Sequence, residues 1–276
     1  MEMTKAIKSE DPIVSVSELS LRFGGAVALD SVSFDVYRNE LLAIIGPNGS
    51  GKTSTLNCLT GFYRPQGGSI KYKDVSLLGR PAHTIARMGI CRSFQKVELF
   101  AGLTVIDNLM VARHIRTDHG VLAGGMFFGR ARAQDIANRR VVEEIIDFME
   151  LEQVRKATVG SLPYGLRKRI GVARALAMEP EVLLLDEPMA GMNVEEKETL
   201  VRFILDIHRG ARFGYESSFL NEGIRSIVMI EHDIGIVMDI TDRIVVLDFG
   251  KKIGEGTPQE ISTNTAVINA YLGEGT

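Results

Sequence analysis

Near its start the chain alternates between apolar and polar residues. Residues 12–21 alternate in part and Ser31-Val32-Ser33-Phe34-Asp35-Val36 alternates cleanly, with Phe23-Gly24-Gly25 as a turn between them. A period of two turns one face of a strand to a core and the other to water, so the pair predicts a small antiparallel sheet. Gly67-Gly68-Ser69-Ile70-Lys71-Tyr72 reads as a further turn and strand. The runs at 182–185, 226–230 and 244–247 are different: they are largely apolar without alternation, as in strands of a buried parallel sheet, and residues 40–45 form a short apolar run of strand length. From 104 to 176 the pattern is mostly helical, broken by the Gly-rich stretch 120–129. Within it, Val141, Ile145, Phe148 and Met149 fall on one face of an amphipathic helix. Glu179-Pro180 closes a helix, and Thr257-Pro258-Gln259-Glu260 opens one with a cap, a proline and a capping-box glutamate. Buried strands alternating with helices predict an α/β fold with a parallel sheet, into which the helical middle is inserted. No internal repeat is present.

Composition narrows the class. The chain has 276 residues, 45% apolar and 24% charged, enough for one large domain or two small ones. A net charge of −3 argues against a general nucleic-acid binder. Cys58 and Cys91 lack metal-ligand spacing and read as free thiols of a reducing compartment. No apolar run approaches the ~20 residues of a membrane span. Residues 1–11 are polar, without a signal-type apolar segment, and are expected to form a flexible tail. A cytosolic chain that meets any membrane only at its surface is the expectation.

Gly46-Pro47-Asn48-Gly49-Ser50-Gly51-Lys52-Thr53 satisfies G-x-x-x-x-G-K-[ST], the phosphate-binding loop. Glycines let the backbone wrap a phosphate so that successive N–H groups point inward, and the helix that follows, through Ser54, adds its positive end. Lys52 supplies charge for the outer phosphates and Thr53 a hydroxyl for Mg²⁺. The run at 40–45 ahead of it and residues 53–60 behind it, free of Gly and Pro, give the strand–loop–helix setting the motif needs. A second signal is Val182-Leu183-Leu184-Leu185-Asp186-Glu187-Pro188, a buried strand ending in two carboxylates. Asp186 is placed to hold Mg²⁺ and Glu187 to polarise an attacking water. His232, after the run 226–230, could donate to a γ-phosphate, although a lone histidine is more often structural. Gln95, in Cys91-Arg92-Ser93-Phe94-Gln95, carries no specific signal by itself.

Taken in order, these residues resemble the ATP-binding subunit of an ABC transporter over nearly the whole chain. That resemblance implies ATP and Mg²⁺ as ligands, with Gln95 as the loop glutamine that senses the metal (with Thr53 and Asp186) and links to the membrane subunit. It implies Glu187 as the base, His232 as a γ-phosphate contact, and Phe23 as an aromatic that stacks on adenine; the alternative for Phe23 is a core position in the small sheet. It places a signature segment at residues 162–169, whose Tyr164 and Gly165 close the nucleotide site of a partner ATPase. The fold implied is a phosphate-loop, RecA-like parallel core with an N-terminal antiparallel β subdomain and an inserted helical subdomain. In these terms the ATPase domain spans 12–254, with core about 12–95 and 178–254, insertion about 96–177, and a C-terminal helical extension at 255–276.

The chain departs from the family pattern at two places. Leu162-Pro163-Tyr164-Gly165-Leu166 stands where Leu-Ser-Gly-Gly-Gln is usual, so Pro163 replaces the serine that would contact the opposed phosphate. Either the backbone and helix dipole suffice, or a different partner subunit completes a better site. Asn193, in Ala190-Gly191-Met192-Asn193, stands where an aspartate is common. These variants, Ile230-Glu231-His232-Asp233, the long middle 114–138 and the tail Ala270-Tyr271-Leu272-Gly273-Glu274 resemble the ATPases of bacterial branched-chain amino-acid uptake. ATPases for urea or amide uptake and for lipopolysaccharide export share much of the pattern.

The partners so implied are two transmembrane permease subunits, a second ATPase subunit of the same or a homologous chain, and an extracytoplasmic solute-binding protein, at the cytoplasmic face of the bacterial inner membrane. The permease contact is expected near residues 95–109, with Phe94, Val97, Leu99, Phe100 and Leu103 partly exposed or, alternatively, in the core. The connection 209–223 is long for an α/β unit and reads as a surface loop or a partner contact. A soluble ABC-type ATPase would usually need two cassettes or a coiled coil, and a phosphate-loop kinase would need a lid. The single phosphate loop and the lack of sustained heptads count against the soluble ATPase.

Overall fold

The computed structural model describes residues 11–93, 99–116, 130–210, 224 and 226–272. Strands β1 (Val14–Phe23) and β2 (Ala26–Val36) pair antiparallel across residues 24–25. The imperfect alternation of β1 has a cause: its register shifts between Val16 and Leu19, so bulges change which residues face inward. β3 (Glu40–Ile45) belongs to a second sheet and leads through the phosphate loop into α1 (Lys52–Leu59). β4 (Gly67–Tyr72) and β5 (Val75–Ser76) then complete a four-stranded antiparallel sheet in the order β2-β1-β4-β5.

After α2 (Ala82–Met88) come β6 (Ile90–Ser93), α3 (Val105–Arg113), α4 (Arg130–Phe148) and α5 (Tyr164–Leu176). The chain continues as β7 (Val182–Asp186), α6 (Val194–Arg209), β8 (Ser226–Ile230), α7 (Ile234–Ile240), β9 (Arg243–Asp248) and β10 (Lys251–Gly256), and ends in α8 (Pro258–Ser262) and α9 (Thr265–Leu272). The central sheet has the order β10-β9-β3-β8-β7-β6, parallel except for β10. The expected fold class is therefore observed: an α/β phosphate-loop core, an antiparallel β subdomain and a helical segment. Sequence pattern did not announce β10, because Lys251-Lys252-Ile253-Gly254-Glu255-Gly256 is a partly exposed, charged edge strand with no apolar run.

The unalternating strands are apolar on both sides because two cores cover them. Leu41, Ala43, Ile45, Leu183, Leu185, Ile227 and Met229 face a core shared with α3 to α7. Leu42, Ile44, Leu184, Val228 and Ile230 face the other, with α1 and the antiparallel sheet. On α4 the buried set is broader than predicted: Val142 and Ile146 are fully buried and Val141 only in part, because the helix packs against both α3 and α5. The Thr257 helix start forms a complete capping box with Glu260. Both cysteines are free and buried, and burial pushes each thiol up to about 12. Among the described residues no helix is long and apolar enough to cross a membrane. Most of the N-terminal tail, Phe94, Gln95, Val97, the break at 120–129 and most of the connection 209–223 lie outside the described residues.

Candidate active site

Strand register brings the scattered motifs to one place. Ile230 at the end of β8 stands opposite Ile44 of β3 on one side and Asp186 of β7 on the other. The phosphate loop, the pair Glu231-His232 and the pair Asp186-Glu187 therefore leave adjacent parallel strands at one level, at their carboxyl ends, where open α/β sheets bind ligands.

The phosphate loop is held by backbone. Gly46, Gly49 and Gly51 have φ of 146°, 79° and 105°, which side chains rarely adopt. A Cβ on Gly46 would stand 1.9 Å from the Leu247 carbonyl oxygen, and one on Gly51 would stand 2.7 Å from that of Ala28. Gly250 N–H donates to the Ser50 carbonyl at 3.0 Å and Asp30 N–H to the Gly250 carbonyl at 2.8 Å, so the loop is fastened to the β9–β10 turn and to β2. Lys52 Nζ donates to the carbonyls of Gly46 (2.7 Å) and Pro47 (2.8 Å), closing the loop from inside. Gly51 is the N-cap of α1 with no side-chain cap, so the first-turn N–H groups point at the loop's concave side. Asn48, Gly49 and Thr53 are exposed, Pro47 and Ser54 half-buried, and Ser50 buried.

Asp186 is buried, its side chain 1% exposed, and its Oδ2 meets Arg92 Nη2 at 2.5 Å. Glu187 follows with φ +47°, a left-handed non-glycine backbone of the kind that clusters at functional sites. Two bonds hold that peptide: Glu187 N–H donates to Ile230 O at 2.9 Å and Lys168 Nζ donates to Glu187 O at 2.9 Å. The Glu187 side chain lies 2.9 Å from His232 Nε2, so the expected base and the expected γ-phosphate contact are neighbours. Beneath them Glu231 accepts from the Met189 N–H (2.8 Å) and the His232 N–H (3.1 Å), stapling the two loops together. Burial raises the Glu231 pKa against those two bonds, and burial lowers that of Lys168 against the pull of Glu231, Glu187 and Asp186.

Phe23 is 49% exposed, in edge contact with Tyr63 at 5.0 Å between centroids, which overturns the core alternative. Ala28, whose carbonyl faces Gly51, lies two residues beyond Phe23's strand partner Ala26, so aromatic and loop share one end of the antiparallel sheet. In the signature segment Pro163 is the exposed N-cap of α5, one position earlier than a first-turn proline. The Tyr164 ring lies over Gly191, whose added Cβ would meet it at 3.0 Å, and the buried Gly165 is abutted by Glu196, 2.0 Å from where a Cβ would stand. Asn193 caps α6 in a complete capping box with Glu196. Arg92, Lys168, Glu231 and Glu196 had no sequence-derived role; the visible hint was a charge in or beside an otherwise apolar strand for Arg92 and Glu231, and none marked the other two.

The residues fit a nucleotide and a divalent ion. Ser50 Oγ and Asp186 Oδ1 are buried without a hydrogen-bond partner among the described residues, and the glycine cradle is too tight for any Cβ at Gly46 or Gly51. Among the described residues no cluster of three His, Cys, Asp or Glu side chains could cage a metal.

The sequence pattern of the ABC transporter family matches residues 29–190, and that of the branched-chain amino acid ATP-binding cassette transporter matches residues 251–276. The chain is 41% identical over 266 residues to the high-affinity branched-chain amino acid transport ATP-binding protein LivG of Escherichia coli K12, covering 95% of this chain and 98% of LivG. To BraF of Pseudomonas aeruginosa, described in the same words, it is 38% identical over 263 residues, at 95% and 98% coverage. A nucleotide-free ATP-binding cassette from an ABC transporter, solved by crystallography, superposes with a TM-score of 0.78 at 25% identity, over 95% of this chain and 99% of that one. The chain belongs to the ABC transporter family, as one of its ATP-binding subunits.

Proposed function

We propose that the chain is the ATP-binding and hydrolysing subunit of a bacterial importer for branched-chain or other hydrophobic amino acids. It acts at the cytoplasmic face of the inner membrane, beneath two transmembrane permease subunits, with a second ATPase subunit and an extracytoplasmic solute-binding protein in the same system. The observation that carries the solute class is the match of residues 251–276 to the branched-chain cassette pattern, on top of the 41% identity to LivG along the chain. The alternative of lipopolysaccharide export has weaker support: identity to the export ATPase LptB of Haemophilus influenzae is 30%, against 41% to LivG.

In this reading residues 46–54 wrap the phosphates of ATP and Phe23 covers the adenine. Thr53, Asp186 and Gln95 would hold Mg²⁺, which when bound neutralises charge developing on the phosphates. Glu187 takes a proton from the attacking water, and His232, 2.9 Å from that carboxylate, is the residue assigned to the γ-phosphate. The left-handed backbone at Glu187, fixed by Lys168 and Ile230, holds its carboxylate beside His232. Tyr164 and Gly165 serve the nucleotide of the paired subunit. Permease docking is assigned to a groove of about 240 Å³ lined by Ile85, Ala86, Leu99, Arg174, Ala175 and Met178, with the exposed Phe100 stacked under Arg174 nearby.

The test is uptake of radiolabelled leucine by cells in which Lys52→Ala replaces the parent chain. Uptake is expected to fall to the level of cells lacking the chain. Parental leucine uptake with loss of some other solute would overturn the solute class, and parental uptake of every solute would overturn the transport role.

A further inference from the structure

Arg92 occupies an unusual place. It sits on β6, at the edge of the parallel sheet, yet its side chain is only 5% exposed and points inward to Asp186 Oδ2, at 2.5 Å. A second arm of the same guanidinium, Nη1, donates to Asn57 Oδ1 at 2.6 Å. Asn57 belongs to α1, the helix that begins at Lys52. One cation thus bridges the strand that carries the candidate metal ligand and the helix that follows the phosphate loop. The Asp186 carboxylate is spread over two environments: Oδ2 faces a full positive charge, and Oδ1 is buried with no hydrogen-bond partner among the described residues.

A buried carboxylate left alone is costly, and a fixed guanidinium offsets part of that cost, so removing the guanidinium alone is destabilising. The same charge repels any other cation that approaches the carboxylate, more strongly than in water because the surroundings polarise poorly. Arginine suits the task better than lysine, since its planar fork reaches Asp186 and Asn57 together and it does not lose its proton.

We infer that Arg92 is the resident counter-ion of Asp186 and a positioning residue for the metal: it stabilises the chain before nucleotide arrives and weakens Mg²⁺ uptake, because the ion must share the carboxylate with the guanidinium. The inference rests on the reading of Asp186 as a metal ligand. Arg92 acts through Asp186 and Asn57, and so is a positioning residue and not a catalytic one.

The test uses thermal unfolding of the full chain at pH 8, without turnover as a readout. Parent, Arg92→Met and Arg92→Lys are melted alone, with Mg²⁺, with a non-hydrolysable ATP analogue in EDTA, and with analogue plus graded Mg²⁺. Arg92→Met is expected to melt well below the parent when alone and to regain most of the gap with analogue and Mg²⁺ together. Its half-saturating Mg²⁺ concentration should be about tenfold lower than the parent's, with Arg92→Lys between them. An equal drop in melting temperature under all conditions, with an unchanged Mg²⁺ midpoint, would make Arg92 a purely structural ion pair and overturn the inference. If Arg92→Met does not fold, the Mg²⁺ midpoint of the neutral, polar Arg92→Gln decides: a decrease supports competition and no change overturns it. A parent chain that binds the analogue but shows no Mg²⁺ response would instead remove the metal reading on which the inference stands.

Discussion

The loop at residues 46–53 and the segment at residues 162–169 are both assigned to phosphate, but they are held differently. The loop is fixed by main chain: positive-φ glycines lie against the carbonyls of Leu247 and Ala28, and Gly250 ties it to the neighbouring turn. The signature segment has main-chain bonds of its own, but it meets the neighbouring loop and α6 through side chains. Tyr164 lies on Gly191 and Gly165 on the carboxylate of Glu196, which also closes the α6 cap with Asn193. Residues 188–193 link those contacts directly to Asp186 and Glu187. A rigid backbone cradle can be complete before ligand binds, whereas a segment held by side-chain ends can shift when a second subunit arrives. The structure thus gives Asn193 a structural task, capping a helix.

Substituting alanine for glycine at the two places separates the modes of support. Gly46→Ala meets a backbone oxygen that cannot yield and a φ that alanine resists, so it should cost about 3 kcal/mol in denaturant unfolding and abolish nucleotide binding. Gly165→Ala meets only the end of a side chain, so Glu196 swings aside and the capping box opens, for about 1 kcal/mol, with nucleotide affinity of the isolated chain unchanged. Equal penalties would erase the distinction. Asn193→Ala removes the same cap and should also cost about 1 kcal/mol, and combining it with Gly165→Ala should cost less than the sum because both act through Glu196. Asn193→Asp keeps the cap and should change stability by less than about 0.5 kcal/mol.

The same contrast explains what the sequence made legible. The phosphate loop, its flanking strand and helix, and the strand-end carboxylates are local patterns, readable because strand–loop–helix order sets their geometry. The buried runs at 182–185, 226–230 and 244–247 likewise stand as β7, β8 and β9. The pairings that tune the site are not local. Arg92 meets Asp186 across 94 positions of chain, Lys168 reaches Glu187 across 19, and Met189 donates to Glu231 across 42. Such contacts depend on sheet order, which places β6 beside β7 and β7 beside β8, and periodicity does not encode that order. Phe23 shows a third case. Its place at the end of a strand was legible, but its exposure follows from lying at the tip of β1 beside Tyr63.

The measurement closest to the centre of this account compares Glu187→Gln with Lys52→Ala and the parent for binding of ATP·Mg and for steady-state hydrolysis. Glutamine keeps the shape and the neighbour His232 but cannot accept the water's proton, so Glu187→Gln should bind ATP as the parent does and lose about 100-fold or more in kcat. Lys52→Ala should lose binding itself, because Lys52 is the charge inside the cradle. Hydrolysis by Glu187→Gln at the parental rate would contradict the assignment of the base, and with it the proposed chemistry of the site.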